Sequence, residues 1–141
     1  MTLRIFNTMS KKEEEFTPLD GHNVKMYVCG VTVYDDIHMG HARSIIVFDM
    51  IARYLRYRGY NVKHLTNFTD VDDKIINRAA ERGMDPLDLS KLYIERYFED
   101  IDRLGVRRAD AYPMASENID VIISMVQKII DNGYGYQSED G

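Results

Sequence analysis

The sequence predicts an α/β fold with a parallel sheet, and three segments carry the prediction. Residues 24–29 form an apolar run broken only by Lys25, and residues 62–66 have the pattern of a second short strand. Between them, residues 41–58 place apolar side chains at helical spacing, and Gly59 can end that helix. A strand, a helix and a strand within this length predict a βαβ unit with parallel strands and a right-handed crossover.

Two short segments precede this unit. Residues 3–8 are apolar with some alternation, which predicts an edge strand or an arm. Residues 10–15, Ser-Lys-Lys-Glu-Glu-Glu, are charged throughout and predict a solvated turn.

The rest of the chain is mainly helical. Residues 67–74 predict a polar loop, and Asp72 or Asp73 can cap the helix that follows and ends at Gly83. The pattern then predicts a helix over residues 85–104, a connector over 107–113, a last helix over 116–132 and the first residues of a strand at 133–136.

Composition narrows the class of protein. The 141 residues correspond to one domain, and the 45% of hydrophobic residues are enough for a core. A net charge of -5 argues against a dedicated, sequence-independent nucleic-acid binder. The single cysteine rules out an internal disulfide framework. No signal peptide and no membrane-spanning apolar run are evident, so we expect a soluble, cytoplasmic protein.

The sharpest chemical signal is residues 34–41, a polar loop that joins the first strand to the long helix. It contains His38, Gly40 and His41 at the helix N-terminus, where free amides and the helix dipole favour an anion. Two imidazoles add hydrogen-bond donors, and Gly40 lets the backbone approach a ligand. Two alternatives stay open from spacing alone: the histidines are metal ligands on one helical face, or they are unrelated polar residues.

Other polar residues also admit two interpretations. Cys29 ends an apolar strand, where a cysteine is usually a small buried hydrophobe but can be a metal ligand. Thr69 and Asp70 are loop or cap residues, or part of a site. Asp70, Asp72 and Asp73 could instead bind a hard cation such as Mg²⁺. Ligands bind beyond the carboxyl ends of parallel strands, so loops 34–41 and 67–74 are expected to face one cleft.

A resemblance to a known family covers essentially the whole chain. Residues 38–41, His-Met-Gly-His, resemble the His-Ile-Gly-His signature of class I aminoacyl-tRNA synthetases, with methionine as a mild departure. Together with residues 27–35, 41–43, 48–49, 52–55 and 67–75, they resemble the cysteinyl-tRNA synthetases. The competing match is the related ATP-dependent ligase that joins cysteine to a glucosamine-inositol sugar in mycothiol synthesis.

The resemblance implies a Rossmann-type nucleotide-binding fold, the first half of a class I catalytic domain. Residues 1–141 would be one N-terminal portion of it, with an inserted, helical connecting segment starting at about residue 105. The complete enzyme would be an AMP-forming cysteine–tRNA ligase, a monomer with ATP, cysteine and tRNA(Cys) as partners and no membrane association. We expect this chain alone to be inactive or weak, and a non-catalytic ATP-binding fragment is the other hypothesis.

The resemblance also implies roles for individual residues. The catalytic residues would be His38 and His41; the ATP site would comprise His38, Gly40, His41, Thr32 and Tyr34; the cysteine site would comprise Cys29, Gly30, Thr32 and Thr69. The cofactors would be Mg²⁺ with ATP and one Zn²⁺ bound by Cys29, whose further ligands would lie beyond residue 141. Residues 8–12 superficially match the second class I signature, Lys-Met-Ser-Lys-Ser, but precede the first half, so we interpret them as an exposed turn.

Overall fold

The computed structural model describes residues 2–138 and has a parallel βαβ unit at its centre. In chain order its elements are β1 (Arg4–Asn7), β2 (Lys12–Glu15), β3 (Asn23–Thr32), α1 (Met39–Tyr57), β4 (Asn61–Thr69), α2 (Asp73–Arg82), α3 (Pro86–Arg103), a 3₁₀ turn (Ser116–Asn118) and α4 (Ile119–Asp131).

The βαβ prediction is confirmed. Strands β3 and β4 pair in parallel from Asn23 opposite Asn61 to Thr32 opposite Thr69, and α1 connects them. Both strands run further than predicted, so residues 67–69 belong to β4 and not to a loop. The reason is Phe68, whose side chain is only 1% exposed and packs in the core, so the strand continues through its polar neighbours Asn67 and Thr69.

The N-terminal residues form a hairpin, which corrects the prediction of a solvated turn over residues 10–15. Strand β2 pairs antiparallel with β1, and the two are joined by a turn in which Lys11 has a φ of 57°. Pairing satisfies the backbone of this charged segment, while all of its side chains stay exposed to water. The exposed turn predicted at residues 8–12 is confirmed for residues 8–11, whereas Lys12 begins β2.

Helices α1, α2 and α3 cover one face of the β3–β4 sheet. The larger core cluster packs Val33 and Phe68 against α2 and α3, and the smaller one packs Val24 and Val62 against α1. The opposite face is open, with exposed side chains at Lys25, Tyr27, Cys29 and Lys63 and half-buried ones at Leu65, Asn67 and Thr69.

Residues 109–115 run beside the outer edge of β4 and extend the sheet. The Thr66 amide donates to the Ala111 carbonyl at 3.2 Å, and the Phe68 amide donates to the Pro113 carbonyl at 3.0 Å. Within residues 2–138, β3 pairs only with β4, so its other edge is open. The predicted domain division at about residue 105 stays a prediction.

The C-terminal region departs from the sequence prediction. The last helix begins as the 3₁₀ turn and continues as α4, and no residue of α4 is buried. The prediction of a strand at residues 133–136 is wrong. Gly133 has a φ of 78° and the Tyr134 amide donates back to the Ile129 carbonyl at 3.0 Å, so these residues close the helix. Residues 139–141 lie outside the described part of the chain, in which no helix is long and apolar enough to cross a membrane.

Candidate functional site

Two histidines cap the N-terminus of α1. The Nδ1 atom of His38, the N-cap residue, accepts a hydrogen bond from the Gly40 amide at 3.0 Å. The Nδ1 atom of His41 in turn accepts from the His38 amide at 3.3 Å. The two rings stack with 3.8 Å between centroids and 18° between planes. This is a reciprocal capping box in which both side chains are imidazoles.

The capping bonds determine which ring nitrogens remain for a ligand. A nitrogen that accepts a hydrogen bond carries no proton, so each neutral ring of His38 and His41 has its proton on Nε2. Burial lowers the pKa of His41, and the charge of His38 lowers it further, which favours the neutral ring. The first turn of α1 has no acidic side chain. Two Nε2–H donors at the positive end of a helix suit an anionic ligand.

Gly40 has a structural reason for its identity besides close approach of a ligand. A β-carbon at this position would lie 2.8 Å from Cε1 and 3.0 Å from Nδ1 of His38. A side chain here would therefore push the His38 ring away from the helix end.

The loop between β3 and α1 is held by ion pairs to other helices. Asp35 pairs with Arg78 of α2, and Asp36 pairs with Arg96 of α3 at 2.7 Å. The hydrogen bond from Arg78 lowers the pKa of the Asp35 carboxyl, so this carboxylate is ionised at neutral pH. Tyr34, predicted as an ATP-site residue, packs half-buried against the core. These contacts fix the path of the chain into His38.

The predicted cysteine-site residues gather at the carboxyl ends of β3 and β4. Thr32 and Thr69 are directly paired in register, and the Val33 amide donates to the Thr69 carbonyl at 3.2 Å. Cys29 is exposed on the same open face as Thr69. The structure therefore brings both strand ends together beside the α1 N-terminus.

Sequence reasoning missed Asn67, whose side chain joins these strands. Its Oδ1 accepts from the Gly30 amide at 2.8 Å and from the Tyr27 hydroxyl at 3.0 Å. The available signal was Gly30 itself, because an isolated glycine inside a strand often marks a bulge or a close backbone approach.

A cavity of about 280 Å³ lies between α1, the strands and residues 106–112. Of the predicted site residues, Cys29, Gly30 and His41 line it, whereas Thr32, Tyr34, His38 and Thr69 do not. His64 also lines it, and the Nε2 atom of His64 is buried without a hydrogen-bond partner among the described residues. Cys29 and Gly30 therefore border both this cavity and the open strand ends, whereas Thr32 and Thr69 lie at the strand ends alone.

Residues 2–138 do not form a metal site by themselves. Cys29 is the only cysteine of the sequence, and no group of three metal-ligating side chains occurs within residues 2–138. A structural zinc ion is almost always four-coordinate, and a catalytic one has three protein ligands. Both His38 and His41 use one ring nitrogen to cap α1. The donor set of the described residues therefore falls short of a zinc site.

The acidic residues after β4 have structural partners. Asp70 is only 4% exposed and accepts from the Ser116 amide at 2.9 Å and from the Ser116 hydroxyl. Asp72 is the N-cap of α2, accepting from the Lys74 amide at 2.8 Å. Asp73, the other cap candidate in the sequence, is the first residue of the helix.

A solved structure with this fold defines the class of protein. The chain resembles Mycobacterium tuberculosis methionyl-tRNA synthetase in complex with methionyl-adenylate, with a TM-score of 0.56 and 26% identity. The match covers 63% of this chain and 18% of the synthetase. The parallel βαβ unit of this chain thus has the fold of a class I tRNA synthetase.

Sequence relatives narrow the class to a family. The curated cysteine–tRNA ligase of Thermodesulfovibrio yellowstonii is 51% identical to this protein over 99% of the chain. That of a Geobacillus species is 53% identical over 96% of the chain. That of Bacillus cereus is 50% identical over 99%. The family model of class I (C) tRNA synthetase catalytic domains matches residues 15–141, so the chain belongs to this family. It spans 28%, 29% and 30% of the lengths of these three relatives, respectively.

Proposed function

We propose that this chain supplies the first half of the catalytic domain of a cysteine–tRNA ligase. The reaction is ATP-dependent activation of cysteine to cysteinyl-adenylate, followed by transfer of cysteine to tRNA(Cys). The observation that carries the proposal is the stacked pair of His38 and His41, which caps α1 beside the ends of β3 and β4. Relatives named cysteine–tRNA ligase, at 50–53% identity, support the choice of amino acid.

The activation step is a phosphoryl-type displacement at the α-phosphate of ATP. A carboxylate oxygen of cysteine forms a bond to this phosphorus while the bond to the bridging oxygen breaks and pyrophosphate leaves. The carboxylate is already an anion at neutral pH, so the step needs no general base. Catalysis then depends on positioning and on stabilising charge on the phosphate oxygens, with Mg²⁺ accompanying the nucleotide.

We assign the α1 end of the site to ATP. The Nε2–H groups of His38 and His41 donate to phosphate oxygens, since their Nδ1 atoms are engaged in the cap. Thr32 and Tyr34 lie on the segment that leads from the end of β3 to this cap. Gly40 has no side chain and so leaves room for the His38 ring. The histidine donors are preorganised by the helix end, so little reorganisation is needed as charge develops.

We assign the open strand ends to cysteine. Cys29, Gly30, Thr32 and Thr69 come together there through the pairing of β3 with β4. Cys29 is proposed as one zinc ligand, with the remaining ligands supplied from outside this chain.

The test uses a chimaera in which residues 1–141 replace the matching part of the Bacillus cereus cysteine–tRNA ligase. We expect cysteine-dependent ATP–pyrophosphate exchange by this protein. His41→Ala should lower kcat more than about tenfold with little change in the KM for cysteine, because a charge-stabilising donor acts in the transition state.

His22→Ala is the matched control, since His22 is exposed and lies before β3. Thermal melting of each variant separates loss of the cap from loss of catalysis. Unchanged exchange in His41→Ala would refute the histidine role. An inactive parent chimaera that melts cooperatively would refute the proposed function. Cys29→Ser should lower the zinc content, measured by atomic emission on the same preparations.

A further inference from the structure

Strand β3 contains a bulge in the middle of the proposed cysteine site. Val28 pairs with Thr66 and Val31 pairs with Phe68, so Cys29 and Gly30 together lie opposite one residue of β4, Asn67. Two residues opposite one is the definition of a β-bulge, which is rare in parallel sheets and tends to redirect a side chain near a functional site.

The bulge decides which face each side chain occupies. Val24 before the bulge packs against α1, and Val31 and Val33 after it pack with α2 and α3, although an odd number of positions separates Val24 from each of them. If the same residues formed a regular strand with no bulge, strict alternation would turn Val31 and Val33 to the open face. The bulge therefore keeps the core intact while Cys29 stays on the open face.

Gly30 permits a close contact between the two strands. A β-carbon on Gly30 would lie 1.6 Å from the carbonyl oxygen of Asn67 and 3.2 Å from Oγ1 of Thr66. No side chain fits at this distance, so the bulge requires glycine here.

The side chain of Asn67 completes the bulge. The extra residue of a bulge disrupts the local ladder, and the Gly30 amide finds its partner in Oδ1 of Asn67 at 2.8 Å. The same oxygen accepts from the Tyr27 hydroxyl at 3.0 Å. The Nδ2 group of Asn67 donates to Oγ1 of Thr69 at 3.4 Å. One amide thus contacts residues on both sides of Cys29 and the hydroxyl of Thr69.

We propose that Asn67 is a positioning residue for the amino-acid substrate. Its side chain holds the Cys29–Gly30 bulge and orients Thr69, and so sets the geometry of the surface that receives cysteine. Asn67 acts through these neighbours, and none of its side-chain hydrogen bonds involves His38 or His41. Its loss should therefore weaken use of cysteine and leave use of ATP unaffected. This inference rests on the proposed function.

The first test needs no enzymatic activity. Amide hydrogen exchange of the 141-residue chain, followed by NMR, reports directly on the Gly30 amide. Asn67→Ala should accelerate Gly30 exchange about tenfold, the loss of roughly 1.4 kcal/mol of protection expected for one hydrogen bond. Asn67→Asp keeps the acceptor and should retain the protection, as should Tyr27→Phe. The Val24 amide, at the other end of β3, controls for global stability.

The second test uses the chimaera described above. Asn67→Ala should raise the KM for cysteine about tenfold and leave the KM for ATP within about twofold, because the lost geometry concerns one substrate only. Asn67→Asp should recover part of the loss, since it keeps an acceptor for the Gly30 amide but lacks the Nδ2 donor that orients Thr69. Equal changes in both KM values, or none in that for cysteine, would overturn the inference.

The two tests separate the two proposals. Unchanged Gly30 exchange in Asn67→Ala would overturn the role of Asn67 even in an active chimaera. An inactive chimaera would refute the proposed function, and the exchange experiment would still decide whether Asn67 holds the bulge.

Discussion

The ring nitrogens of His38 and His41 divide two tasks between them. Their Nδ1 atoms satisfy amides at the start of α1, and their Nε2–H groups remain for a ligand. Asn67 divides its amide in a similar way, with the oxygen holding Gly30 and Tyr27 and the nitrogen holding Thr69. In each of these side chains, one polar atom holds the local structure and a second polar atom is left for a different contact.

His64 supplies a prediction about acid stability. It is 8% exposed, and burial lowers its pKa; the Arg56 charge lowers it further, whereas Asp110 and Asp49 oppose the shift. A lowered folded-state pKa means that folding favours the neutral ring. Its contribution to stability is therefore complete above about pH 6.5 and is lost as pH falls towards the folded-state pKa.

We expect the free energy of unfolding to fall between pH 7.5 and pH 5, and to fall less steeply in His64→Gln. Urea titrations at both pH values measure this. His22→Gln, at an exposed position, should keep the parent slope. His41→Gln is a second informative variant, because the pKa of His41 is also lowered by burial. Identical slopes in His64→Gln and His22→Gln would contradict the assignment.

Among the elements, β4 connects the site to the C-terminal helix. Directly after this strand, the buried Asp70 accepts from the backbone and side chain of Ser116, which starts the 3₁₀ turn before α4. Its carbonyl also accepts from the Ser90 hydroxyl of α3 at 3.2 Å. Asp70 therefore joins three elements next to Thr69.

Removing one side of this junction should destabilise the chain measurably. Ser116→Ala loses a hydroxyl that donates to a buried carboxylate, so we expect the free energy of unfolding to fall by about 1–3 kcal/mol. Ser124→Ala on exposed α4 is the matched control, with an expected change within about 0.5 kcal/mol. Urea unfolding followed by circular dichroism measures both variants. Equal free energies of unfolding for Ser116→Ala and the parent chain would show that the hydrogen bond from the Ser116 hydroxyl to Asp70 does not stabilise the fold.

For the molecule as a whole, the main feature is apolar surface that the described residues leave uncovered. Every residue of α4 is exposed, including Ile122 at 45% and Val126 at 48%. The open edge of β3 adds unpaired backbone groups. Contiguous apolar surface of this kind promotes association in water.

We therefore expect the purified 141-residue chain to self-associate as its concentration rises, as sedimentation velocity can measure. Ile122→Lys/Val126→Lys should shift the distribution towards monomer by charging α4. Met9→Lys/Leu19→Lys adds the same charge at exposed positions outside α4 and is the matched control. A parent chain that stays monomeric throughout would refute this expectation. If both double variants dissociated equally, net charge and not α4 would be the cause.

Local patterns in the sequence were sufficient for much of this structure. The spacing of apolar residues predicted a helix over residues 41–58, and the observed α1 is Met39–Tyr57. The prediction works because a helix that buries one face has an apolar side chain at every third or fourth position. Apolar spacing also predicted the parallel βαβ unit, and the position between a strand and a helix singled out the two histidines and Gly40. The resemblance to class I synthetases was also contained in short contiguous motifs.

Contacts between distant residues decided the rest. Strand β2 forms because a charged segment finds a partner in β1, and β4 extends to Thr69 because Phe68 finds a core. Residues 133–136 do not form a strand, since within residues 2–138 they have no strand to pair with. Asn67 was missed because it contacts Gly30 across 37 positions of sequence. The sequence by itself determined which residues could form the site, and only the tertiary structure decided which atoms meet, because hydrogen bonds depend on distances in space.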